Sequence, residues 1–226
     1  MPEELFENAD AYDEMLQSGL ALSGENKAYF IDQRVTRLRR LLRDISVETV
    51  LDFGCGVGDA SGVLADAFEA RVVGVDIAAG AVEKARRTHV DSRLSFGTLD
   101  ELDRSERFDL AYVNGAFHHI PPGERDGAVA QLHRGLKPGG LLAVFENNPY
   151  SPAARLVMRR IEFDRDAVMV WPRTMARLLA RGGFEVVAPP RYLFVFPRAL
   201  AGLRRVEPRL ERLPLGAQYL TLARRR

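Results

Sequence analysis

Cysteine, lysine and long apolar runs are all scarce in this 226-residue chain. Cys55 stands alone, so no intrachain disulfide can form and a reducing compartment is expected. No apolar stretch approaches the roughly 20 residues that span a bilayer, which excludes a transmembrane helix and leaves no expected membrane partner. An excess of either charge is missing too: the formal net charge is +1, giving no global field to attract nucleic acid or an anionic surface. The lysines are Lys27, Lys84 and Lys137, and arginine supplies the remaining basic residues. Histidine is limited to His89, His118, His119 and His133, without a ligand spacing such as H-x-x-x-H, so no metal is expected. The opening residues, MPEELFENADAYDEM, are acidic and lack an apolar core, which argues against a signal peptide and for a cytoplasmic protein. The 46% hydrophobic content suits one globular domain.

Periodicity supplies the organisation. Over Glu25–Arg43, the residues Phe30, Ile31, Val35, Leu38, Leu41 and Leu42 form a helical apolar stripe, with Arg37, Arg40 and Arg43 largely off it. Strands and helices then alternate. TVLDF precedes a helix from Asp59; RVVGVDI precedes one over Ala79–Thr88; RLSFGT and FDLAYVN follow; a helix over Gly123–Leu136 leads into GLLAVFE. This rhythm implies a parallel sheet with right-handed crossovers, an α/β fold. Lys137-Pro138-Gly139-Gly140 is expected to stop a helix. The rhythm breaks at residues 147–172, which show no single period, before a helix over Thr174–Arg181. GFEVVA and QYLTLA read as the last two strands, separated by an Arg- and Pro-rich insert over 197–214. Residues 1–44 are expected to form a helical cap on a domain over 45–226, with 147–172 as a lid.

The stretch VLDFGCGVGDASG is a strand, a glycine turn and a helix start, the layout of a nucleotide site. Its glycines are Gly54, Gly56 and Gly58, giving G-x-G-x-G, and the sixth position is Asp59 where a dinucleotide fingerprint has glycine or alanine. Asp52 precedes the turn. Carboxylates here would repel a pyrophosphate, which disfavours a nicotinamide dehydrogenase. They suit a cofactor that carries an ammonium and a sulfonium and no phosphate. Asp76, eighteen residues beyond Gly58, stands where an acidic side chain binds ribose hydroxyls. Together these favour S-adenosylmethionine. Asp52 also has a plainer reading as a turn cap, and Asp76 as a helix cap.

VLDFGCGVG, then VVGVD, FDLAYVNGAFHHI and LKPGGLLAVFE, in that order, resembles the class I S-adenosylmethionine-dependent methyltransferases. The resemblance runs from about residue 25 to the C-terminus. It implies a Rossmann-like, seven-stranded, mostly parallel sheet in the order 3-2-1-4-5-7-6, whose last strand, here QYLTLA, is antiparallel. It also implies site residues. Gly54, Cys55 and Gly56 would line the methionine moiety, with Asp52 near its ammonium. Asp76 would hold the ribose and Ile77 would pack on the adenine. Thr98 and Leu99 stand where the family often has an acidic residue for the adenine amino group. Asn114 would face the methionine portion and the reaction centre. Tyr12, Tyr29 and Arg34 would close over the cofactor, Arg34 on its carboxylate.

Methyl transfer is an in-line displacement, to which proximity and alignment contribute much of the rate. A base is needed only where the nucleophile must lose a proton. His118 and His119 are the base candidates, one of them expected to face the pocket, with a structural role as the plainer reading; Glu146 could orient a substrate amine or hydroxyl, or cap a helix or loop. Asn147, Asn148 and Tyr150 could add polar contacts, while Asp164, Arg165 and Asp166 read as surface charges. Asn147-Asn148-Pro149-Tyr150 lacks the first proline of the N-P-P-Y motif and follows the wrong strand, so nucleic-acid methylation is rejected. The expected function is methylation of a small molecule. A cyclase acting on S-adenosylmethionine alone, giving an azetidine ring and methylthioadenosine, stays open; Tyr29, Phe117, Tyr150 or Trp171 could assist it by cation–π contact. So does a non-catalytic cofactor-binding subunit. The acceptor and the oligomeric state are not legible.

Overall fold

The computed structural model describes residues 19, 23–102, 107–161, 164 and 167–226. Of the expected cap, helix α1 (Lys27–Leu41) is the main described part. Asn26 caps it by accepting a hydrogen bond from Tyr29 N–H. Its stripe residues Ile31, Val35 and Leu38 are buried.

The alternating elements follow as β1 (Thr49–Phe53), α2 (Asp59–Phe68), β2 (Arg71–Asp76), α3 (Ala79–Thr88), β3 (Leu94–Thr98), β4 (Phe108–Asn114), α4 (Arg125–Gly135) and β5 (Leu136–Asn147). The expected helix stop comes early. Helix α4 ends at Gly135, and Lys137–Gly140 lies within β5, whose register against β4 shifts between Phe108 and Leu110. Gly139 takes a φ of 77° there, which glycine adopts without strain.

The unpatterned stretch contains a helix, α5 (Pro152–Arg160), capped by Ser151, whose hydroxyl accepts from Ala154 N–H. Then come α6 (Pro172–Arg181), β6 (Phe184–Val186), a short unanticipated β7 (Arg191–Leu193), a 3-10 segment (Arg198–Val206), the one-turn α7 (Glu207–Leu210) and β8 (Gln218–Arg225). The sheet order is 3-2-1-4-5-8-6, with β7 paired to β8. Strand β8 runs antiparallel to β5 and β6, whereas β1 to β5 pair in parallel. The expected topology therefore holds, with one extra short strand before QYLTLA.

Both faces of the sheet are covered, as a parallel sheet requires. Leu51, Ala111, Val113, Leu142 and Val144 pack with Val129 and Leu132 of α4 and Leu178 and Leu179 of α6. On the other face, Val50, Leu110, Tyr112, Ala143 and Phe145 pack with Val35 and Leu38 of α1 and Leu64 of α2. Strand order reverses between β1 and β4, so the carboxyl ends of these strands flank the crevice where such sheets bind ligands. Phe108 is fully buried at the start of β4 and pairs with Leu136. Phe108→Ala should lower unfolding free energy by ~3–5 kcal/mol in urea titrations without altering the denaturant slope; a loss near zero would contradict this packing.

Candidate functional site

A cavity of about 540 Å³ opens at the carboxyl ends of β1, β4 and β5. Its size is that of a small-molecule site. The glycine turn forms one wall. Gly54, Gly56 and Gly58 have φ of 77°, 54° and 85°, a left-handed backbone that glycine adopts freely. A Cβ on Gly56 would meet nothing within 4 Å, so its Cα faces open space. Gly58 is packed instead: a Cβ there would meet Phe96 ring carbons at 2.8 Å.

Four amides of this turn are engaged internally. Gly54 and Cys55 N–H donate to Val75 O at 2.8 and 3.1 Å, Gly56 N–H to Asp76 Oδ2 at 2.8 Å, and Gly58 N–H to Cys55 O at 3.0 Å. A phosphate cradle requires such amides to point at the ligand. These do not, which fits a cofactor without phosphate at this turn.

Asp52 lies on β1 opposite Tyr112 of β4, on the α1 side of the sheet. It lines the cavity, and Ser61 Oγ donates to its Oδ2 at 2.7 Å. Burial pushes its carboxyl up to about 7, against the Ser61 hydrogen bond that favours the charge. Arg34, expected at the surface if it had no role, is buried and faces the same cavity. Its Nε donates to Tyr112 Oη at 3.2 Å and its Nη1 to Gln218 Oε1 at 3.0 Å, which fixes the guanidinium. Asn114 Oδ1, at the end of β4, is buried with no hydrogen-bond partner among the described residues. An acceptor in that state lacks a donor, and the ammonium of S-adenosylmethionine would supply one. Tyr29 also lines the cavity, with the Arg204 guanidinium 4.6 Å from its ring. Burial raises the Cys55 thiol, leaving it an inert wall residue.

The adenosine-side residues sit differently. Gly58, Asp76, Ile77, Thr98 and Leu99 do not line the cavity and occupy the ends of the turn, β2 and β3. Asp76 braces the turn through Gly56 N–H and, just ahead of α3, accepts Ala78 N–H at 3.0 Å. Ile77 is 67% exposed at this edge. Thr98 N–H donates to Glu101 Oε2 at 2.8 Å and Leu99 N–H to Asp76 O at 3.2 Å. Glu101 is thus an acid near the place where the resemblance found none, already paired with Arg86 at 2.8 Å. Tyr12 lies outside the described residues, as do Arg165 and Asp166.

At the opposite end, both imidazoles line the cavity, not one, with ring centroids 4.1 Å apart. Glu146 does not reach a substrate. It is fully buried, accepting Phe117 N–H on Oε1 at 2.8 Å and His118 Nδ1–H on Oε2 at 2.7 Å. Both oxygens are engaged, so it is a positioning residue for His118. Asp164, read as a surface charge, instead lines the cavity beside both histidines, 3.5 Å from His118 Nε2 and 3.4 Å from His119 Nε2. Burial alone would lower His118; Glu146 and Asp164 outweigh it and carry the imidazole up to about 10. Burial, then the charge on His118, push His119 down to about 4. Asn147 lines the cavity, whereas Asn148 is buried and donates to Pro214 O and Gly216 O. Phe117, Tyr150 and Trp171 are not among the lining residues. Sequence reasoning missed Tyr112, Gln218, Phe194 and the α5 side chains, which only the folded chain brings to the cavity.

Fold and site define a Rossmann-like domain for a phosphate-free, cationic nucleoside cofactor. Residues 50–140 match the methyltransferase-domain family. The chain is 30% identical over 151 residues to an uncharacterized methyltransferase of Synechocystis sp. PCC 6803, covering 64% of this chain and 70% of that protein. It is 28% identical to trans-aconitate 2-methyltransferase of Azoarcus sp. BH72 (71% and 64% covered) and 30% identical to 27-O-demethylrifamycin SV methyltransferase of Amycolatopsis mediterranei (63% and 58%). It thus spans less than two thirds of these last two. Among solved structures, magnesium protoporphyrin IX methyltransferase of Synechocystis PCC 6803 superposes with TM-score 0.69 at 17% identity, covering 99% of this chain and 98% of that one. The [4+2]-cyclase SpnF superposes with TM-score 0.61 at 19% identity, covering 86% and 81%, a likeness of fold. The chain belongs to the class I S-adenosylmethionine-dependent methyltransferases.

The raised carboxyl of Asp52 predicts a pH signature. The unfolded chain releases this proton near 3.8 and the folded one only near 7, so raising pH across that window favours unfolding. Asp52→Asn should therefore gain stability relative to the wild type between about pH 4 and 7 in urea titrations. A difference constant with pH would contradict the buried, protonated state.

Proposed function

We propose that the protein transfers a methyl group from S-adenosylmethionine to a small molecule with a largely apolar body. The observation that carries this reading is the continuity of one cavity. It runs from the glycine turn, Arg34 and the unpartnered Asn114 Oδ1 to the paired imidazoles of His118 and His119. When bound, the cofactor supplies a methyl on a sulfonium that a nucleophile displaces in line.

Arg34 faces the cofactor's carboxylate, held by Tyr112 and Gln218. Asp52 and Asn114 face its ammonium, and Gly54, Cys55 and Gly56 let the chain approach. Asp76 and Ile77, flanked by Thr98 and Leu99, serve the ribose and adenine, with Gly58 shaping the turn; Tyr29 covers the open side. The acceptor's apolar body meets Ala154, Val157, Met158, Phe194 and Phe196. His119, lowered to about 4, is a weak proton acceptor, and its place at the end of the cavity suits it to positioning the acceptor. A carboxylate acceptor would need no proton removed. The names of relatives that act on trans-aconitate and demethylrifamycin support a small-molecule acceptor. The aromatics expected to assist cyclisation lie off the cavity, apart from Tyr29, which favours transfer. The lone cysteine supports a reducing, cytoplasmic setting.

Two measurements test the reading. With acceptor pools, mass spectrometry should show S-adenosylhomocysteine formation; with S-adenosylmethionine alone, methylthioadenosine should not exceed the protein-free control. The opposite pattern would point to the cyclase. Arg34→Met should weaken S-adenosylhomocysteine binding by about tenfold or more in calorimetry, the range of a lost charged hydrogen bond; unchanged affinity would remove Arg34 from the cofactor site.

A further inference from the structure

Three potential ligand atoms converge at the acceptor end of the cavity. His118 Nε2 and His119 Nε2 lie 3.5 and 3.4 Å from Asp164 Oδ1, and all three groups have ligand atoms within 4.8 Å of one another. These separations exceed the about 3.2 Å of a good N–H···O hydrogen bond. The two nitrogen–oxygen distances are close to the edge of a tetrahedron, about 3.3–3.4 Å, drawn around a metal with bonds of about 2.0–2.1 Å. We propose that His118 Nε2, His119 Nε2 and Asp164 Oδ1 form a divalent transition-metal site with an open position toward the cavity.

Three features beyond the distances support it. Glu146 accepts from His118 Nδ1–H at 2.7 Å, which fixes the tautomer that leaves Nε2 as the ligand atom. A carboxylate behind a ligating imidazole is the usual arrangement in metal sites. The ligand set, two imidazoles and one carboxylate, suits zinc, cobalt, iron or manganese and leaves room for a further ligand. The ligand-bearing segments are also tied together. Val168 N–H donates to His118 O at 2.9 Å, and Arg125 bridges Ile120 O and Val168 O at 2.9 and 2.8 Å. The strand-end loop is thus tied to the chain at Val168 without a metal.

The expectation of no metal came from the histidine spacing alone. Asp164 lies 45 residues beyond His119 in the sequence, so no local motif could reveal the set. The metal's use in orienting and acidifying an acceptor oxygen rests on the methyltransferase reading; the binding itself does not.

The test is titration of the chelator-treated full chain with cobalt(II) alone, followed by visible absorption. One equivalent should bind and give d–d bands of a four- or five-coordinate site. Asp164→Asn and His119→Gln should each weaken cobalt binding by at least about tenfold, while S-adenosylhomocysteine binding reports that each variant is folded. Wild-type cobalt affinity no better than that of the folded variants, or no such bands, would overturn the site. Cobalt binding at this site without S-adenosylhomocysteine binding would uphold it and sink the cofactor reading instead.

Discussion

A carboxylate buried beneath the end of β5 governs the histidine end of the cavity. Glu146 is removed from water entirely, and a polar group so placed must be fully hydrogen-bonded to persist. It meets that demand with one amide and one imidazole, both from the loop after β4. Satisfying Glu146 therefore sets the path of residues 115–119 and aims His118 into the cavity, and His119 stacks beside it. Asp164 then completes the cluster from a segment far along the chain.

The cofactor side obeys a different constraint. Parallel strands buried on both faces need apolar side chains in both directions, so polar groups gather where the strands end. Asp52, Asp76, Asn114, Glu146 and Asn147 all occupy the carboxyl ends of β1, β2, β4 and β5. Asp76 illustrates how one side chain can join two functions. It closes the glycine turn through Gly56 and starts α3 through Ala78, so the same carboxylate shapes the turn that the ligand approaches. Four of the turn's amides are engaged inside the protein and so do not present a phosphate cradle.

Legibility from sequence followed locality. The strands around TVLDF, RVVGVD and FDLAYVN, and the helix over Ala79–Thr88, were readable because their periods are strong and their breakers are glycine, proline and aspartate. The boundary near Lys137 was misplaced because the lysine–proline–glycine–glycine run forms an irregularity inside β5 rather than a helix end. Helix α5 escaped notice because its small and apolar residues face a cavity and not a packed sheet, which blurs the stripe. Glu146 was marked as a site residue for its position at a strand end, yet sequence could not tell a substrate contact from a buried support.

Resemblance to the class I methyltransferases supplied the strand order, and the residues by themselves determined the alternating elements of the sheet and the cofactor class. These depend on hydrophobic period, turn chemistry and the sign of charges close together in the chain. Tertiary structure decided which groups share the cavity. Arg34 with Tyr112 and Gln218, and His118 and His119 with Asp164, are contacts between residues 45 to 184 positions apart. Such pairings carry no periodic signal, because they arise only when separate elements are packed against the same end of the sheet.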